Sequence, residues 1–226
     1  MIYNNIKRAK FLNRPNRFIA NIEIDGKLEL CHVKNTGRCK ELLREGVTVF
    51  VQEFNNSNRK TKYDLISVYK GDKLINIDSQ APNKVFHEFL LSGILFENIK
   101  LIKPESKYKN SRFDFYVETE DKKIFIEVKG VTLEENGVVK FPDAPTERGL
   151  KHLNELADCV EAGYEAYVCF IIQMEDVLYF TPNYETHKEF GETLKNVKKK
   201  GVNIIALDCK VTKDSLNFQN MVEIKL

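Results

Sequence analysis

The segment from Ser111 to Gly130 constrains the fold more than any other stretch, because it reads as two alternating strands joined by one charged turn. Apolar residues recur at every second position on both sides of the turn, a period typical of half-buried strands. A hairpin centred between Glu120 and Asp121 pairs residues whose numbers sum to 241. A slip of one residue would move every side chain to the other face, so this register decides which charges meet.

This register sets two carboxylates face to face, with Asp114 opposite Glu127 and Lys129 two residues further along the same face. Directly opposed side chains have Cβ atoms about 5 Å apart, and like charges at that distance repel each other. One explanation is a divalent cation, since Mg²⁺ is typically held by one or two carboxylates together with phosphate oxygens and water. The other is a solvated sheet face on which Lys129 forms an ion pair. The spacing alone leaves both explanations open.

The composition excludes a disordered chain and a membrane-spanning one. With 226 residues, of which 42% are hydrophobic and 30% charged, the chain can bury the core of one or two domains. No apolar run approaches the ~20 residues that span a bilayer, and the N-terminus lacks the apolar segment of a signal peptide. The five cysteines form no CxxC pair, which favours reduced thiols. We therefore expect a cytoplasmic protein with no membrane partner.

Charge is spread unevenly along the chain. Residues 1–80 hold 15 Lys and Arg against 9 Asp and Glu, a net charge of +6, whereas residues 81–226 hold 20 against 24, a net charge of −4. A basic front half attached to an acidic back half suggests that the front half attracts an anionic polymer. The alternative is an imbalance without function on solvated faces.

The first 80 residues have the strand order of a small barrel. Strands are predicted at residues 2–12, 17–25, 27–34, 47–52 and 63–69, with a further short strand at 73–77. A short helix over 37–44, with Asn35 or Thr36 as its N-cap, separates the third strand from the fourth. Three strands, a helix and two strands is the order of a five-stranded OB-type barrel, whose open face often binds oligonucleotides. We place a domain boundary at the polar segment 79–83, which gives domains 1–80 and 81–226.

The predicted barrel carries the basic residues that would contact nucleic acid. These candidates are Arg8, Lys10, Arg14, Arg17, Arg38, Lys40, Arg59 and Lys60. Interleaved aromatic residues, Tyr3, Phe11, Phe18 and Phe50, would suit stacking on bases, although the pattern favours core positions for most of them.

The second domain is predicted to be a mixed sheet flanked by helices. Helices are expected over 84–97, 146–162 and 185–200. The apolar run 164–173 reads as a buried central strand, and further strands are expected at 131–133, 138–141, 177–180, 204–207 and 216–226. Arg148 and Lys151 at the start of the second helix would suit phosphate contacts, or a solvated helix face.

Six blocks of sequence are similar to the sugar fermentation stimulation protein (SfsA) family. They are HVKNTGRCKELL at 32–43, RKTKYDLI at 59–66, APNKVF at 81–86, SRFDF at 111–115, EVKGVTL at 127–133 and FPDAPTERGLKHL at 141–153. The resemblance covers nearly the whole chain. It implies an N-terminal OB-like barrel, a C-terminal domain resembling the PD-(D/E)XK nucleases, and a DNA-binding protein linked to the regulation of sugar use.

The nuclease pattern carries over at the residues that the hairpin register brings together, although Phe113 stands where the pattern's name has Pro. The resemblance implies that the catalytic residues are Asp114, Glu127 and Lys129. It implies a Mg²⁺ or Mn²⁺ ion whose candidate ligands are Asp114, Glu127, the backbone carbonyl of Val128 and, from the preceding helix, Glu88. Two functions remain open, a metal-dependent nuclease and a non-catalytic DNA-binding regulator of sugar fermentation genes. The sequence also leaves open whether the chain acts alone or as a homodimer.

Overall fold

The structure of the protein is a computed structural model that describes residues 1–35, 37–56 and 58–226. The strands are β1 Ile6–Asn16, β2 Ile19–Ile24, β3 Lys27–Val33, β4 Thr48–Glu53, β5 Tyr63–Lys70, β6 Lys73–Asn76, β7 Leu101–Tyr108, β8 Ser111–Glu118, β9 Lys123–Val131, β10 Leu133–Glu135, β11 Val138–Phe141, β12 Glu165–Ile172, β13 Tyr179–Pro182, β14 Asn203–Val211 and β15 Leu216–Met221. The helices are α1 Ala81–Leu91, α2 Glu147–Glu161 and α3 Tyr184–Lys199.

The first five strands form the closed barrel that their order predicts. They pair in the order β3-β2-β1-β4-β5, and a parallel pairing of β3 with β5 closes the ring. Strand β1 starts later than expected and runs to Asn16, whose side chain accepts hydrogen bonds from the backbone of Phe18 (2.8 Å) and Ile19 (3.1 Å). An Asn that bonds its own following backbone makes the turn between β1 and β2. Inward residues such as Ala9 and Ile22 form the barrel core.

The helix expected over 37–44 is wrong, because these residues form turns. The guanidinium of Arg14 on β1 binds the carbonyl oxygens of Gly37 (2.8 Å) and Arg38 (3.0 Å), which a helix would need for its own hydrogen bonds. Cys39 has a positive φ of 46°, which a helix excludes. Of the two expected N-caps, Thr36 lies outside the described residues, and Asn35 instead closes a local turn on Gly37 N (2.8 Å).

The second domain is a six-stranded mixed sheet in the order β15-β14-β12-β9-β8-β7. Its central strands β9, β12 and β14 are parallel, and the outer strands are antiparallel. Strand β12 is almost entirely buried, as its apolar run predicts. Helix α1 covers one face of the sheet and helices α2 and α3 cover the other. A smaller sheet, β10-β11-β13, lies beside it.

The element boundaries differ from the prediction at the start of this domain. Helix α1 spans Ala81–Leu91 rather than 84–97, since Pro82 fits the first helical turn and Gly93, with a φ of 73°, lies just beyond the helix end. Strand β7 was not predicted, because it is an edge strand with exposed residues and a proline, Pro104, which obscure the alternation.

A buried polar network joins the two domains. The Gln173 side chain donates to Asn76 Oδ1 (2.9 Å) and to the Asp78 carbonyl (3.0 Å). Asn76 in turn donates to the Tyr3 hydroxyl (3.1 Å), and Lys34 binds Asp78 Oδ2 (3.1 Å). Because buried polar groups are costly when unpaired, this network fixes how the barrel meets the end of β12.

Within the described parts of the chain, no helix is both long and apolar enough to cross a membrane.

Candidate functional site

The hairpin of β8 and β9 has the predicted register. Its pairs run from Glu118 with Lys123 to Phe115 with Ile126, and each pair of numbers sums to 241. The last pair is Phe115 with Ile126. The same register continued by one residue places Asp114 opposite Glu127. Both acids therefore lie where the two strands begin to separate.

Two neighbouring donors hold the Asp114 carboxylate in the gap. Its Oδ2 accepts a hydrogen bond from the backbone of Val128 (2.7 Å), so a side chain replaces the next bond of the ladder. Its Oδ1 accepts one from the Asn83 amide on α1 (2.7 Å). Burial, followed by the negative charge of Glu127, raises the pKa of Asp114 to about 6.

The Glu127 carboxylate is buried more deeply and has different partners. Its Oε1 binds the Lys129 ammonium and lies 2.5 Å from His152 Nδ1 on α2. Burial by itself raises the pKa of Glu127, but the hydrogen bond from His152 and the charge of Lys129 outweigh it and lower the pKa below its usual value. Its Oε2 is buried and has no hydrogen-bond partner among the described residues.

These residues fit a hard divalent cation. An unpartnered buried carboxylate oxygen on Glu127 is costly unless a ligand satisfies it, and a second carboxylate, Asp114, is close enough to raise its own pKa through repulsion. The described residues contain no cluster of three or more His, Cys, Asp or Glu side chains arranged to hold a metal. Two carboxylates suffice for Mg²⁺ or Mn²⁺, since Mg²⁺ keeps waters and phosphate oxygens as its other ligands.

Glu88 lies on α1 but contacts a different group from Asp114. Its Oε2 is 2.7 Å from the Met1 amino nitrogen, and its side chain is half exposed. The α1 residue in contact with the acidic pair is Asn83, which sequence reasoning missed.

Helix α2 contacts the acidic pair through His152. The two candidate phosphate-binding residues, Arg148 and Lys151, lie on the same part of this helix. Arg148 is exposed, and its Nε lies 3.4 Å from His152 Nε2. Lys151 is also exposed and donates to the carbonyl of Asn110 (2.9 Å). Thr146 caps this helix by accepting from Gly149 N (3.0 Å).

Two of the basic barrel residues, Arg14 and Arg59, hold other segments of the barrel. Arg14 is half-buried and also binds the carbonyl oxygens of Arg17 (2.6 Å) and Asn35 (2.6 Å) through Nη2. Arg59 binds the buried Asp64 carboxylate and stacks on the Phe54 ring at 4.0 Å. Both guanidinium groups therefore serve to hold the barrel loops.

The remaining barrel candidates have exposed side chains: Arg8, Lys10, Arg17, Arg38, Lys40 and Lys60. Among the four aromatic candidates, Tyr3 and Phe11 are buried and Phe50 packs on Tyr69 with ring centroids 6.0 Å apart. Phe18 is 54% exposed and adjoins Arg17 at the tip of the β1–β2 hairpin.

A polar cleft of about 170 Å³ lies between the barrel and the strand that carries Glu127. Its lining includes Asn35, Gly37, Gly130, Asp143 and Gln173. A Cβ atom on Gly130 would come within 2.7 Å of Gln173 Oε1, so the end of β9 needs glycine to pack against that side chain. The loop residues held by Arg14 thus line a cleft together with the end of β9, the strand that carries Glu127.

The fold and site define a class of protein in which a closed OB-type barrel precedes a mixed sheet with three helices, and this sheet carries the buried acidic pair. The family model "SfsA N-terminal OB domain" matches residues 12–77, and "Sugar fermentation stimulation protein RE domain" matches residues 80–215. The chain belongs to the sugar fermentation stimulation protein family.

Relatives and a solved structure agree with this assignment. A "Sugar fermentation stimulation protein homolog" of Clostridium beijerinckii is 66% identical over 226 residues, and one of Ruminiclostridium cellulolyticum is 60% identical, each covering 100% of both chains. The structure of Pyrococcus furiosus SfsA in complex with Ca²⁺ superposes with a TM-score of 0.91 at 27% identity, covering 100% of this chain and 98% of that chain.

Proposed function

We propose that the protein binds DNA and hydrolyses its phosphodiester bonds with a divalent metal ion at the Asp114 and Glu127 site. The observation that carries the proposal is the buried acidic pair, in which Glu127 Oε2 has no partner among the described residues and Asp114 has a raised pKa. The ligands would be Asp114, Glu127 and the Val128 carbonyl. The Ca²⁺ complex of the Pyrococcus furiosus relative supports a divalent ion in this chain too.

The protein's own residues have separate roles in this reaction. A bound Mg²⁺ or Mn²⁺ would polarise the phosphate and lower the pKa of a water molecule. Asn83 and Val128 N orient the Asp114 carboxylate. The Lys129 ammonium, held by Glu127, donates to the attacking water or to the phosphate oxygens as negative charge develops. In the hydrolysis, the water oxygen bonds to phosphorus, the bond from phosphorus to one sugar oxygen breaks, and that oxygen leaves as a hydroxyl group, which balances the proton that the water gives up.

The barrel would deliver the DNA to this site. Arg17 and Arg38 have exposed side chains. The Arg14 side chain binds the backbone carbonyl groups of both residues, an arrangement called here the Arg14 clamp. It lies beside the cleft at the end of β9. Exposed basic residues provide the salt-dependent attraction of phosphate backbones. Phe18 supplies an exposed ring for stacking on a base. Arg148, exposed at the start of α2 and in contact with His152, would add a further phosphate contact.

Cleavage of DNA by matched variants tests the proposal. Purified wild-type protein, Asp114→Asn and Asp121→Asn are incubated with plasmid, single-stranded and branched DNA in Mg²⁺ or Mn²⁺. Asp121 is an exposed acid in the turn of the same hairpin, so it controls for loss of charge. We expect at least one substrate to be cut by wild type and Asp121→Asn, and cutting by Asp114→Asn to fall by about a hundredfold or more. Cleavage that survives in Asp114→Asn, or none on any substrate, contradicts the proposal.

A second candidate function is holding DNA without cutting it, and the exposed basic residues of the barrel favour it. It predicts binding that weakens with salt and persists both in EDTA and in the Asp114→Asn variant. Reversing the charges of Arg8 and Arg17 should then abolish binding. If binding is unchanged, the proposed role of the barrel is wrong.

A further inference from the structure

The His152 side chain packs directly against the candidate metal ligand Glu127. Its Nδ1 lies 2.5 Å from Glu127 Oε1, and the two side chains are only 5% and 4% exposed. The Lys129 ammonium binds the same oxygen. Oε2 has no partner among the described residues. The Glu127 carboxylate is therefore held through Oε1, and Oε2 is available to bind a ligand.

The group on the far side of the imidazole determines which nitrogen carries its proton. Arg148 Nε lies 3.4 Å from His152 Nε2. Because a guanidinium can only donate hydrogen bonds, Nε2 must accept, and the proton of the neutral ring resides on Nδ1. That proton points at Glu127 Oε1. The edge of the Phe113 ring, with centroids 6.0 Å apart, limits rotation of the imidazole.

We propose that His152 is a positioning residue that, together with Lys129, holds Glu127 Oε1 so that Oε2 faces the divalent ion. This inference rests on the proposed function for the ion itself. Hydrogen-bond partners of ligating groups fix their orientation, and their loss typically weakens metal affinity by about 10- to 100-fold. Arg148 contributes by donating to His152 Nε2, which keeps the ring proton on Nδ1. Its Nη groups have no hydrogen-bond partner among the described residues and are available for phosphate.

Two amide replacements of His152 separate positioning from simple packing. Asparagine places its amide nitrogen near the position of Nδ1, whereas glutamine places its amide near Nε2. The dissociation constant for Mn²⁺ alone is measured by calorimetry for wild type, His152→Asn, His152→Gln and the control Asn154→Gln, an exposed residue of the same helix. We expect His152→Gln to bind about tenfold more weakly, His152→Asn to bind more tightly than His152→Gln, and Asn154→Gln to match wild type.

The outcomes distinguish this inference from the proposed function. If wild type binds no Mn²⁺, or Asp114→Asn binds it as well as wild type, the metal site itself fails. If Asp114→Asn loses Mn²⁺ binding but His152→Gln binds Mn²⁺ as tightly as wild type does, the positioning role is overturned and the metal site stands. The same conclusion follows if His152→Gln and His152→Asn bind Mn²⁺ equally tightly. Circular dichroism checks folding. Should His152→Gln not fold, Arg148→Met replaces it, with weaker Mn²⁺ binding expected and unchanged binding contradicting the role.

Discussion

The Asp114 carboxyl group is buried beside a second carboxylate, and both facts disfavour its ionised form. Its pKa of about 6 in the folded protein lies above the ordinary value of 3.8. Between about pH 4 and pH 6 the folded chain therefore keeps a proton that the unfolded chain has released, and stability falls as pH rises. At neutral pH the ionised acid costs the metal-free protein about 3 kcal/mol.

A titration of stability tests this cost. The free energy of unfolding of the metal-free protein is measured from pH 4 to pH 7 for wild type and Asp114→Asn. As pH rises, we expect the free energy of unfolding of Asp114→Asn to increase relative to that of wild type by up to about 3 kcal/mol. At pH 7, saturating Mn²⁺ should stabilise wild type and not the variant. A difference that does not change with pH would mean that Asp114 has an ordinary pKa.

Residue-level chemistry was predictable from the sequence only where the partners are close along the chain. The register that joins Asp114 and Glu127 follows from alternation within a single hairpin. The contacts of Asn83 with Asp114 and of His152 with Glu127 join residues 31 and 25 positions apart on different elements. Asn83 and His152 were distinguished in the sequence only by their places in the matched blocks at 81–86 and 141–153.

Among the structural elements, the turn residues Asn35, Gly37 and Arg38 depend on one side chain from another strand. The four terminal N–H groups of Arg14 bind four backbone carbonyl oxygens, including those of Asn35 and Gly37. A local pattern cannot reveal such a long-range donor, which explains why a helix was predicted over 37–44. The strand order of the barrel was predictable because alternation and turn residues are local.

A comparison of Arg14→Met with Arg38→Met separates the clamp from the DNA contact. We expect Arg14→Met to lower the free energy of unfolding by about 2–3 kcal/mol, since four backbone carbonyl groups, two of them part-buried, lose a charged donor. Arg38 is exposed, so Arg38→Met should leave stability within about 0.5 kcal/mol and reduce the salt dependence of DNA binding by about one phosphate contact. Equal stability of the two variants would refute the clamp.

Across the whole molecule, we expect the buried network of Gln173, Asn76 and Asp78 to make the barrel and the sheet unfold as one unit. In Gln173→Met, Asn76 Oδ1 and the Asp78 carbonyl lose their donor. We expect a loss of about 2–4 kcal/mol and a denaturation curve that separates into two transitions. The control is Gln219→Met, an exposed glutamine on β15. A single unshifted transition in Gln173→Met would show that the network does not couple the domains.

The most direct test of the metal centre is a crystal of the wild-type protein soaked in Mn²⁺ and measured for anomalous scattering. The structure predicts a peak within bonding distance of an Asp114 oxygen and of Glu127 Oε2, and no such peak in Asp114→Asn crystals treated identically. A wild-type map without density between these two carboxylates at saturating Mn²⁺ would contradict the account.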